Sequence, residues 1–349
     1  MDHPDLRDAA IVWPEMIDRA KSTIDFAEFY ASDEKDKSTK LTPVLAAIER
    51  AVARGVKVRF MVDKLFVKQY PETIERLRQA RVDVKVVDYQ AITGGIIHAK
   101  YFVVDGSESF LGSQNFDWRA LEHIQEMGTR VRSPQLASYV EDVFEYDWSG
   151  ARLRDVAPIT TQSGERVTFT ATPLSRLPDP HEWDLRHLLA AIAAAKKGID
   201  VQVLTYSTTN RDGSPFTALD DALRAAAARG VKVRLLVSSW ALKGHERASI
   251  EALAKVANVE VHVITVPPWS GGDVPFARVC HAKYAIFDAN ATAWVGTSNW
   301  EGDYFLKSRN VGVLIEGGKA PERLEGVFED GWSGPYTKPL SAFGADPRP

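Results

Sequence analysis

Apolar residues recur along this chain with two different periods, and the alternation between them predicts its secondary structure. Short runs of β-branched residues at 56–62 and 231–237 are typical of buried strands. Each run follows a segment with helical spacing, 42–54 or 218–229, and a glycine, a common residue just past a helix end, separates the two. Because strand and helix continue to alternate in both regions, the pattern predicts an α/β sandwich with central mixed sheets.

The same segments occur twice in the same order, so the chain contains an internal repeat. Three segments recur: Ala-Arg-Gly-Val-Lys-Val-Arg at 53–59 and 228–234, His-Ala-Lys-Tyr at 98–101 and 281–284, and Trp-Ser-Gly at 148–150 and 332–334. Predicted strands at 24–30 and 199–206 open the repeated pattern, and predicted helices near 136–148 and 321–332 close it. The repeat therefore predicts a duplicated domain with two pseudo-symmetric halves.

The repeat also gives the predicted domain boundaries. The first copy spans 1–150, a linker spans 151–164, and the second copy spans 165–349. The second copy is longer mainly between about 263 and 281, where Pro267-Pro268-Trp269-Ser270-Gly271-Gly272 predicts a loop. It also has an additional predicted strand at 166–172, with no counterpart before the helix predicted at 8–21. We therefore expect the chain to begin late, with any targeting segment removed.

Composition limits the class of protein. A chain of 349 residues that is 45% hydrophobic and 26% charged can bury sizeable cores and is not a disordered polymer. Its formal net charge of −4 argues against a surface that binds nucleic acid indiscriminately, although a local basic cleft remains compatible. A single cysteine, Cys280, excludes an intrachain disulfide and zinc–thiolate clusters. No run approaches the roughly 18 apolar residues that span a bilayer, so we expect a soluble protein, either cytoplasmic or exported.

Polar residues with catalytic potential recur together with the repeat. Their spacing is His-x-Lys-x4-Asp followed by Gly-Ser/Thr-x-Asn, and they are His98, Lys100, Asp105, Ser113 and Asn115 in the first copy and His281, Lys283, Asp288, Thr297 and Asn299 in the second. Residues two apart on a strand face the same side, so each histidine is predicted to project beside its lysine. Two histidines can divide the duties of nucleophile and general acid at a phosphodiester, while lysines and asparagines bind its non-bridging oxygens. No carboxylate cluster of the two-metal kind accompanies them, so neither a metal nor another cofactor is predicted.

A single His-x-Lys pair on a strand carries little weight, because most such pairs are incidental. Two complete sets at equivalent points of a duplicated domain are far more specific, and both match the signature of the phospholipase D superfamily, which this chain resembles. Residues 95–119, 274–279, 296–300 and 304–305 are similar to the animal endolysosomal branch, phospholipase-D-like proteins with 5′-exonuclease activity, which poxvirus envelope relatives share. The resemblance extends from about residue 12 to residue 336.

The resemblance implies a metal-independent phosphodiesterase with one active site shared by the two copies. One histidine would attack phosphorus to form a phosphohistidine, the other would protonate the leaving oxygen, and water or an alcohol would resolve the intermediate. Glu126 follows Asn115 at the position where such proteins often have a carboxylate that supports a histidine ring, whereas the second copy has Asn310 there. Since a carboxylate partner stabilises the imidazolium form, we expect His98, supported by Glu126, to be the nucleophile and His281 to be the acid.

Substrate contacts are expected at the rim of the site, and the candidates are Ser113, Phe116, Thr297, Trp300 and Tyr304. The aromatic rings would stack nucleobases or meet acyl chains, although aromatic residues after a strand are also typical of a core. Basic residues nearby would attract a polyanion or form a solvated face, and they are Arg119, Arg278, Lys307 and Arg309. Asp105 and Asp288 lie well past the lysines and are predicted to be structural, and Cys280 is predicted to be a buried strand residue.

Three functions remain open from the sequence. Hydrolysis of single-stranded nucleic acid is favoured by the branch resemblance, and release of acid-soluble nucleotides would identify it. A phospholipase D or transphosphatidylase is the alternative, identified by release of a free headgroup. A catalytically inactive scaffold protein is disfavoured, because both signatures are intact. A monomer suffices for one shared site, and a dimer is compatible with it.

Overall fold

In the computed structural model the chain forms two halves of alternating strands and helices, described for residues 3–34, 36–152, 154, 157–161, 163–177, 180–289 and 291–344. The helices of the first half are α1 (Ala9–Arg19), α2 (Thr42–Ala53), α3 (Pro71–Gln79), α4 (Tyr89–Thr93), α5 (Trp118–Glu122) and α6 (Pro134–Ser149). Its strands are β1 (Thr23–Glu28), β2 (Ala31–Ser32), β3 (Lys57–Asp63), β4 (Asp83–Val87), β5 (Tyr101–Val104), β6 (Glu108–Gly112), β7 (Phe116–Asp117) and β8 (Gly128–Arg132).

The second half repeats this order. Its helices are α7 (Asp184–Ala194), α8 (Ala218–Ala228), α9 (Gly244–Leu253), α10 (Gly302–Leu306) and α11 (Ala320–Trp332). Its strands are β9 (Ile159–Thr160), β10 (Arg166–Ala171), β11 (Gly198–Val203), β12 (Lys232–Ser238), β13 (Val259–Ile264), β14 (Tyr284–Phe287), β15 (Thr292–Gly296), β16 (Val311–Glu316) and β17 (Thr337–Pro339). The predicted opening strands, central helices and closing helices are confirmed to within a few residues.

Two mixed sheets form the framework, as predicted. The first has the order β4-β3-β1-β5-β6-β8, in which β1, β3 and β4 are parallel and the remaining neighbours are antiparallel. The second contains the same six-strand arrangement as β13-β12-β11-β14-β15-β16, extended by β17 at one edge and by β10 and β9 at the other. The additional strand predicted before the first helix of the second copy is therefore β10. The domain boundaries themselves stay a prediction, since four residues of the predicted linker lie outside the described residues.

The recurring Lys-Val-Arg segment places an arginine at a matched point in each sheet. Arg59 Nε donates to Asp25 Oδ1 at 2.6 Å, and its Cζ lies 4.7 Å from the ring centroid of Phe144 on α6. The second half repeats both contacts with Arg234, Asp200 and Phe328 of α11. A partly buried arginine that combines an ion pair with a ring contact fixes helix to sheet. This is why the arginine segment and the closing helix recur together.

Apolar residues form three buried clusters. One belongs to the first half and one to the second, while the central cluster contains residues of both, including Val140 of α6 and Val327 of α11. The closing helices therefore contribute to a core that joins the halves. Within the described ranges, no helix has the length and apolar character needed to cross a lipid bilayer.

Both signature aspartates lie in the turns that follow β5 and β14. Asp105 and Asp288 have φ angles of 53° and 54°, a left-handed conformation that aspartate tolerates better than most residues. The Asp105 carboxylate accepts hydrogen bonds from the backbone N–H groups of residues 21–23 at 2.7–3.0 Å. Asp288 accepts from those of residues 196–198 at 2.6–3.2 Å. These contacts hold the start of β1 and β11 beside the turns, which supports the structural role predicted for both residues.

Candidate active site

The two His-x-Lys segments lie immediately before β5 and β14, and their backbones are paired across the two halves. The strands predicted to contain the histidines begin only at Tyr101 and Tyr284. The N–H of His98 donates to the carbonyl of Arg309 at 2.9 Å, and the N–H of His281 donates to the carbonyl of Gln125 at 2.8 Å. Each histidine is therefore held by the opposite copy, and the prediction that it lies within a strand of its own sheet is corrected.

The ring partners of the histidines are exchanged in the same way. The Nδ1 atom of His281 lies 2.9 Å from each carboxylate oxygen of Glu126, and the Nδ1 atom of His98 lies 3.0 Å from Oδ1 of Asn310. The prediction that Glu126 supports His98 was wrong. The reason is the backbone pairing, because the residue after each accepting carbonyl faces the histidine of the other copy.

The amide of Asn310 is oriented by its other hydrogen bonds. Its Nδ2 donates to the carbonyl of Tyr304 at 2.8 Å, and its Oδ1 accepts from the hydroxyl of Thr297 at 2.9 Å. Because a carbonyl only accepts, the amide nitrogen must face Tyr304 and the amide oxygen must face His98. The proton of the neutral His98 ring is therefore on Nδ1, and Nε2 carries the lone pair.

Glu126 gives the other histidine a different electrostatic environment. Burial by itself raises the pKa of Glu126, but the charge and hydrogen bond of His281 outweigh it and hold that pKa below its usual value. Burial lowers the pKa of His281, and the Glu126 carboxylate opposes this effect. His98 has no such carboxylate contact, and burial followed by the charges of the two active-site lysines holds its pKa well below the usual value. The site therefore favours a neutral His98 and a more readily protonated His281.

Two buried lysines accompany the histidines. The Nζ atom of Lys100 donates to the carbonyl of His98 at 2.6 Å, and Lys283 makes the same contact with His281. Both side chains are almost completely buried. Burial lowers the pKa of both ammonium groups, that of Lys283 to about 7, and the charge of Lys283 further lowers the pKa of Lys100. Two mutually repelling buried cations are stabilised by an anion between them, so the site suits a phosphate group.

The two predicted asparagines are also buried. Asn115 and Asn299 are buried, at 8% and 2% exposure, and the described residues provide no hydrogen-bond partner for Oδ1 of either side chain. They lie just beyond β6 and β15, the strands that pair with β5 and β14. In each copy, the histidine and lysine come just before one strand, and the asparagine comes just after the neighbouring strand.

The predicted hydroxyl contacts with substrate are corrected by the structure. Ser113 Oγ donates to the carbonyl of Met127 at 3.1 Å and accepts from its N–H at 2.9 Å. Thr297 Oγ1 donates to Asn310 and accepts from the N–H of Val311 at 3.1 Å. Both hydroxyls are fully buried and anchor the segments that carry the ring partners of the histidines. Their role is positioning, because their hydrogen-bonding capacity is used by the protein.

The three predicted aromatic contacts have different outcomes. Phe116 is 1% exposed and stacks on Trp13, with ring centroids 5.8 Å apart, in the core of the first half. Trp300 is completely buried in the core of the second half. The prediction of substrate contact was wrong for both, because each side chain points into its own core. Tyr304 does lie at the site, with its ring edge-on to His98 at a centroid distance of 4.7 Å.

The basic residues predicted near the rim all have protein partners. These partners are Asp117 for Arg119, the carbonyl of Pro267 for Arg278, Asp303 for Lys307 and Asp147 for Arg309. Arg309 is completely buried, so it adds no surface charge. Cys280 is buried as predicted, and burial raises its pKa to about 12.

Two further residues at the site were missed in the sequence. Glu28, at the end of β1, is 2% exposed, and burial raises its pKa well above the usual value although the charge of Lys100 opposes this. Phe29 follows it, with its ring 5.3 Å from both the His98 ring and the Nζ of Lys100. The sequence signal for Glu28 was a carboxyl at the end of an apolar strand, because burying a charged group there without a function costs folding free energy.

The fold and the site define a duplicated α/β enzyme in which each copy supplies a histidine and a lysine to one shared centre. A family model described as the phospholipase-D-like domain of cardiolipin synthase matches the chain twice, at residues 14–148 and 188–332. The chain belongs to this family, and it is a phosphodiesterase of the phospholipase D superfamily.

Curated relatives are similar along most of their length. Phospholipase D Z of Dictyostelium discoideum is 29% identical over 370 residues, covering 95% of this chain and 86% of the relative. The 5′-3′ exonuclease PLD3 of Bos taurus is 31% identical over 375 residues, covering 95% of this chain and 76% of the relative. The 5′-3′ exonuclease PLD4 of Mus musculus is 29% identical, covering 97% and 76%.

Solved structures share the fold at low sequence identity. The phosphatidylserine synthase of Haemophilus influenzae aligns with a TM-score of 0.68 and 12% identity, over 95% of this chain and 85% of the other. The polyphosphate kinase of Porphyromonas gingivalis aligns with a TM-score of 0.63 and 12% identity, over 95% of this chain and 46% of the other. Both alignments confirm the duplicated α/β architecture.

The buried lysines lead to a prediction about anion binding. We expect inorganic phosphate to raise the Tm of the protein, because a ligand that binds only the folded state stabilises it. Lys100→Met should remove most of this rise and should itself increase the Tm without phosphate, since burying an ammonium group costs several kcal/mol. Calorimetry across a phosphate titration measures both effects. The exposed Lys319→Met variant is the control, and an undiminished phosphate response in Lys100→Met would contradict the assignment.

Proposed function

We propose that this protein hydrolyses phosphodiester bonds of single-stranded nucleic acid from a 5′ end, through a covalent phosphohistidine. The proposed reaction rests on one observation: two histidines with different ring partners lie beside two buried ammonium groups. The His281 ring contacts the Glu126 carboxylate, and the His98 ring contacts the Asn310 amide oxygen. The nucleic-acid part is supported by similarity to relatives named 5′-3′ exonucleases. In this proposal, copies 1–150 and 165–349 each contribute one histidine, so a monomer suffices, although a dimer is compatible.

In the first step, the neutral Nε2 of His98 attacks phosphorus in line with the leaving oxygen. The N–P bond forms as the P–O bond breaks, and the proton on Nε2 of His281 passes to the leaving oxygen. The lysines and asparagines of both copies hold the non-bridging oxygens, where negative charge is concentrated in the transition state.

In the second step, water attacks phosphorus and gives a proton to Nε2 of His281, which is now neutral. The N–P bond breaks, the phosphate monoester leaves, and His98 regains its lone pair. The two histidines return to their starting protonation states, so the cycle needs no other reactant than water. An alcohol in place of water would give a transfer reaction instead.

The roles of the histidines follow from their ring partners. An acid must carry a proton before the reaction, and the Glu126 carboxylate favours the protonated form of His281. A nucleophile must be neutral, and the amide oxygen of Asn310 fixes the tautomer of His98 without stabilising its charged form. We therefore keep His98 as nucleophile and His281 as acid, although the sequence argument for this assignment placed Glu126 on the wrong ring.

A lipid substrate is the second candidate. Similarity to Phospholipase D Z supports it, and the same core chemistry would release a headgroup. A catalytically inactive scaffold protein is disfavoured, since both signature sets are complete and the charges of Lys283 and His281 act on His98.

The substrate class is tested by a paired assay with excess chelator. We expect release of nucleotides from a 5′-hydroxyl single-stranded oligonucleotide, and no choline release from phosphatidylcholine vesicles. His98→Ala and His281→Ala should each lose activity by a factor of about 10² or more, because positioned acid–base groups contribute that much. Choline release alone would assign the protein to the lipid class. No activity on either substrate would favour the scaffold function.

The pH dependence of kcat tests the role of Glu126. Activity is lost as the pH rises through the pKa of the acid, His281, and as it falls through that of the nucleophile, His98. Because the Glu126 charge raises the pKa of His281, Glu126→Gln should move the alkaline limb to lower pH and leave the acidic limb in place. Because kcat reports on the enzyme with substrate bound, the titration of Lys283 interferes less. The bound phosphodiester favours the ammonium form of this lysine. The neighbouring Glu122→Gln variant is the control, and a shift of the acidic limb instead would reverse the histidine roles.

A further inference from the structure

A group of contacting rings leads away from His98 on the first-copy side of the site. We call it the aromatic arc, and it consists of Phe29, Tyr30, Phe66, Tyr70 and Arg119. Phe29 and Tyr30 follow β1, Phe66 ends the short 3₁₀ turn after β3, and Tyr70 precedes α3. The four rings are half-buried, so part of each remains accessible.

The arc is continuous from the proposed nucleophile outward. The Phe29 ring lies 5.3 Å from the His98 ring and 5.0 Å from that of Phe66, and Phe66 lies 5.3 Å from Tyr30. Tyr30 and Tyr70 are 5.4 Å apart and only 30° from parallel. These are ordinary distances for stabilising ring contacts, so the arc forms one wall and not a set of separate side chains.

Arg119 closes the arc with a fixed guanidinium plane. Its Cζ lies 5.5 Å from the Tyr70 centroid, within the range of a cation–π contact. Asp117 binds the same guanidinium at two points, with Nε to Oδ1 at 3.0 Å and Nη2 to Oδ2 at 2.5 Å. Because Arg119 is only 8% exposed and this ion pair offsets its charge, it supports the Tyr70 ring from within the protein and adds little long-range attraction.

Ring contacts continue beyond Arg119 toward the other catalytic histidine. Trp118 and His123 have centroids 5.5 Å apart, and His123 lies 4.9 Å from Trp269 in the inserted loop of the second copy. The carbonyl of His123 also accepts from the N–H of Arg278 at 3.0 Å, three residues before His281. The aromatic surface thus borders the shared site from one histidine to the approach of the other, and Trp269 is 45% exposed.

At the equivalent positions, all of them among the described residues, the second copy does not repeat the arc. Strand pairing aligns β1 with β11, and the 3₁₀ turns and helix starts give the remaining equivalences. The counterparts of Phe29, Tyr30, Phe66, Tyr70 and Arg119 are Leu204, Thr205, Ala241, Lys243 and Asp303. The duplication has therefore kept the catalytic residues on both sides and an aromatic flank on one side only.

We propose that the aromatic arc is a subsite that stacks nucleobases of the strand next to the scissile phosphate. This inference rests on the proposed function and specifies how the strand is held. The chain has a net charge of −4, and three of the four rim cations are paired with carboxylates, so affinity has to come largely from contacts other than a basic surface. A nucleobase has a π face and polar edges, which match an arc of four half-buried rings that includes two phenols, whereas an acyl chain has neither. The one-sided arc also distinguishes the two directions of a strand.

The test compares an oligothymidylate with an oligonucleotide of the same length made of abasic residues. Stacking contributes ~1–3 kcal/mol per base, so we expect the wild-type protein to cleave the thymidylate with at least a roughly 5-fold higher kcat/KM. Phe66→Leu should bring the ratio of the two kcat/KM values, thymidylate over abasic, most of the way to one. Because the ratio is measured within each protein preparation, a partly unfolded variant cannot mimic the effect.

The control is Trp240→Ala, which removes a 38% exposed ring from the corresponding 3₁₀ turn of the second copy and should leave the ratio unchanged. Equal cleavage of both substrates by the wild-type protein would overturn the subsite and leave the nuclease function intact. An unchanged ratio in Phe66→Leu would also overturn it. No cleavage of either oligonucleotide would instead refute the proposed function, and the subsite with it.

Discussion

The exchange of hydrogen bonds between the two copies is the interaction on which the rest of the site depends. Each histidine donates its backbone N–H to a carbonyl of the opposite half, and the next residue of that half binds its ring. This arrangement places two histidines and two lysines in one buried space, where desolvation perturbs all four pKa values. Since each histidine is held by the opposite half, the core to which α6 and α11 contribute also joins the two halves that hold each other's histidines.

The duplicated architecture supplies matched groups, and a small number of substitutions make them unequal. Glu126 and Asn310 occupy equivalent positions, yet one is a carboxylate and the other an amide, so the two imidazoles have different proton affinities. The flank beside Phe29 is aromatic, whereas its counterpart beside Leu204 is not. A phosphodiester also has two unequal sides, a retained group and a leaving group, and two histidines with different proton affinities match that difference.

The features predicted correctly from the sequence are those with local signals. The alternation of strands and helices and the duplication depend on spacing that is visible within each copy or between the copies. The partner of Glu126 was not predictable in this way, since it depends on how the halves meet, and a rule based on proximity in sequence assigns it to His98. Phe116 and Trp300 are buried because of the direction in which a short segment turns after its strand. The spacing of apolar residues does not predict that direction. Phe29 and Phe66 come from separate loops, so only the folded chain shows that they touch.

In the proposed reaction His98 becomes covalently bound to phosphorus while His281 acts as acid. This assignment is tested most directly with methyl 4-nitrophenyl phosphate, whose leaving group departs as a stable anion without needing a proton. We expect His281→Ala to release a burst of one 4-nitrophenolate per site and then to stall, because hydrolysis of the phosphohistidine still requires His281. After a quench in base, which preserves phosphohistidine, peptide mapping by mass spectrometry should find the methylphosphoryl group on His98. A label on His281 in the His98→Ala variant, or a burst with no labelled histidine, would contradict the assignment of His98 as nucleophile.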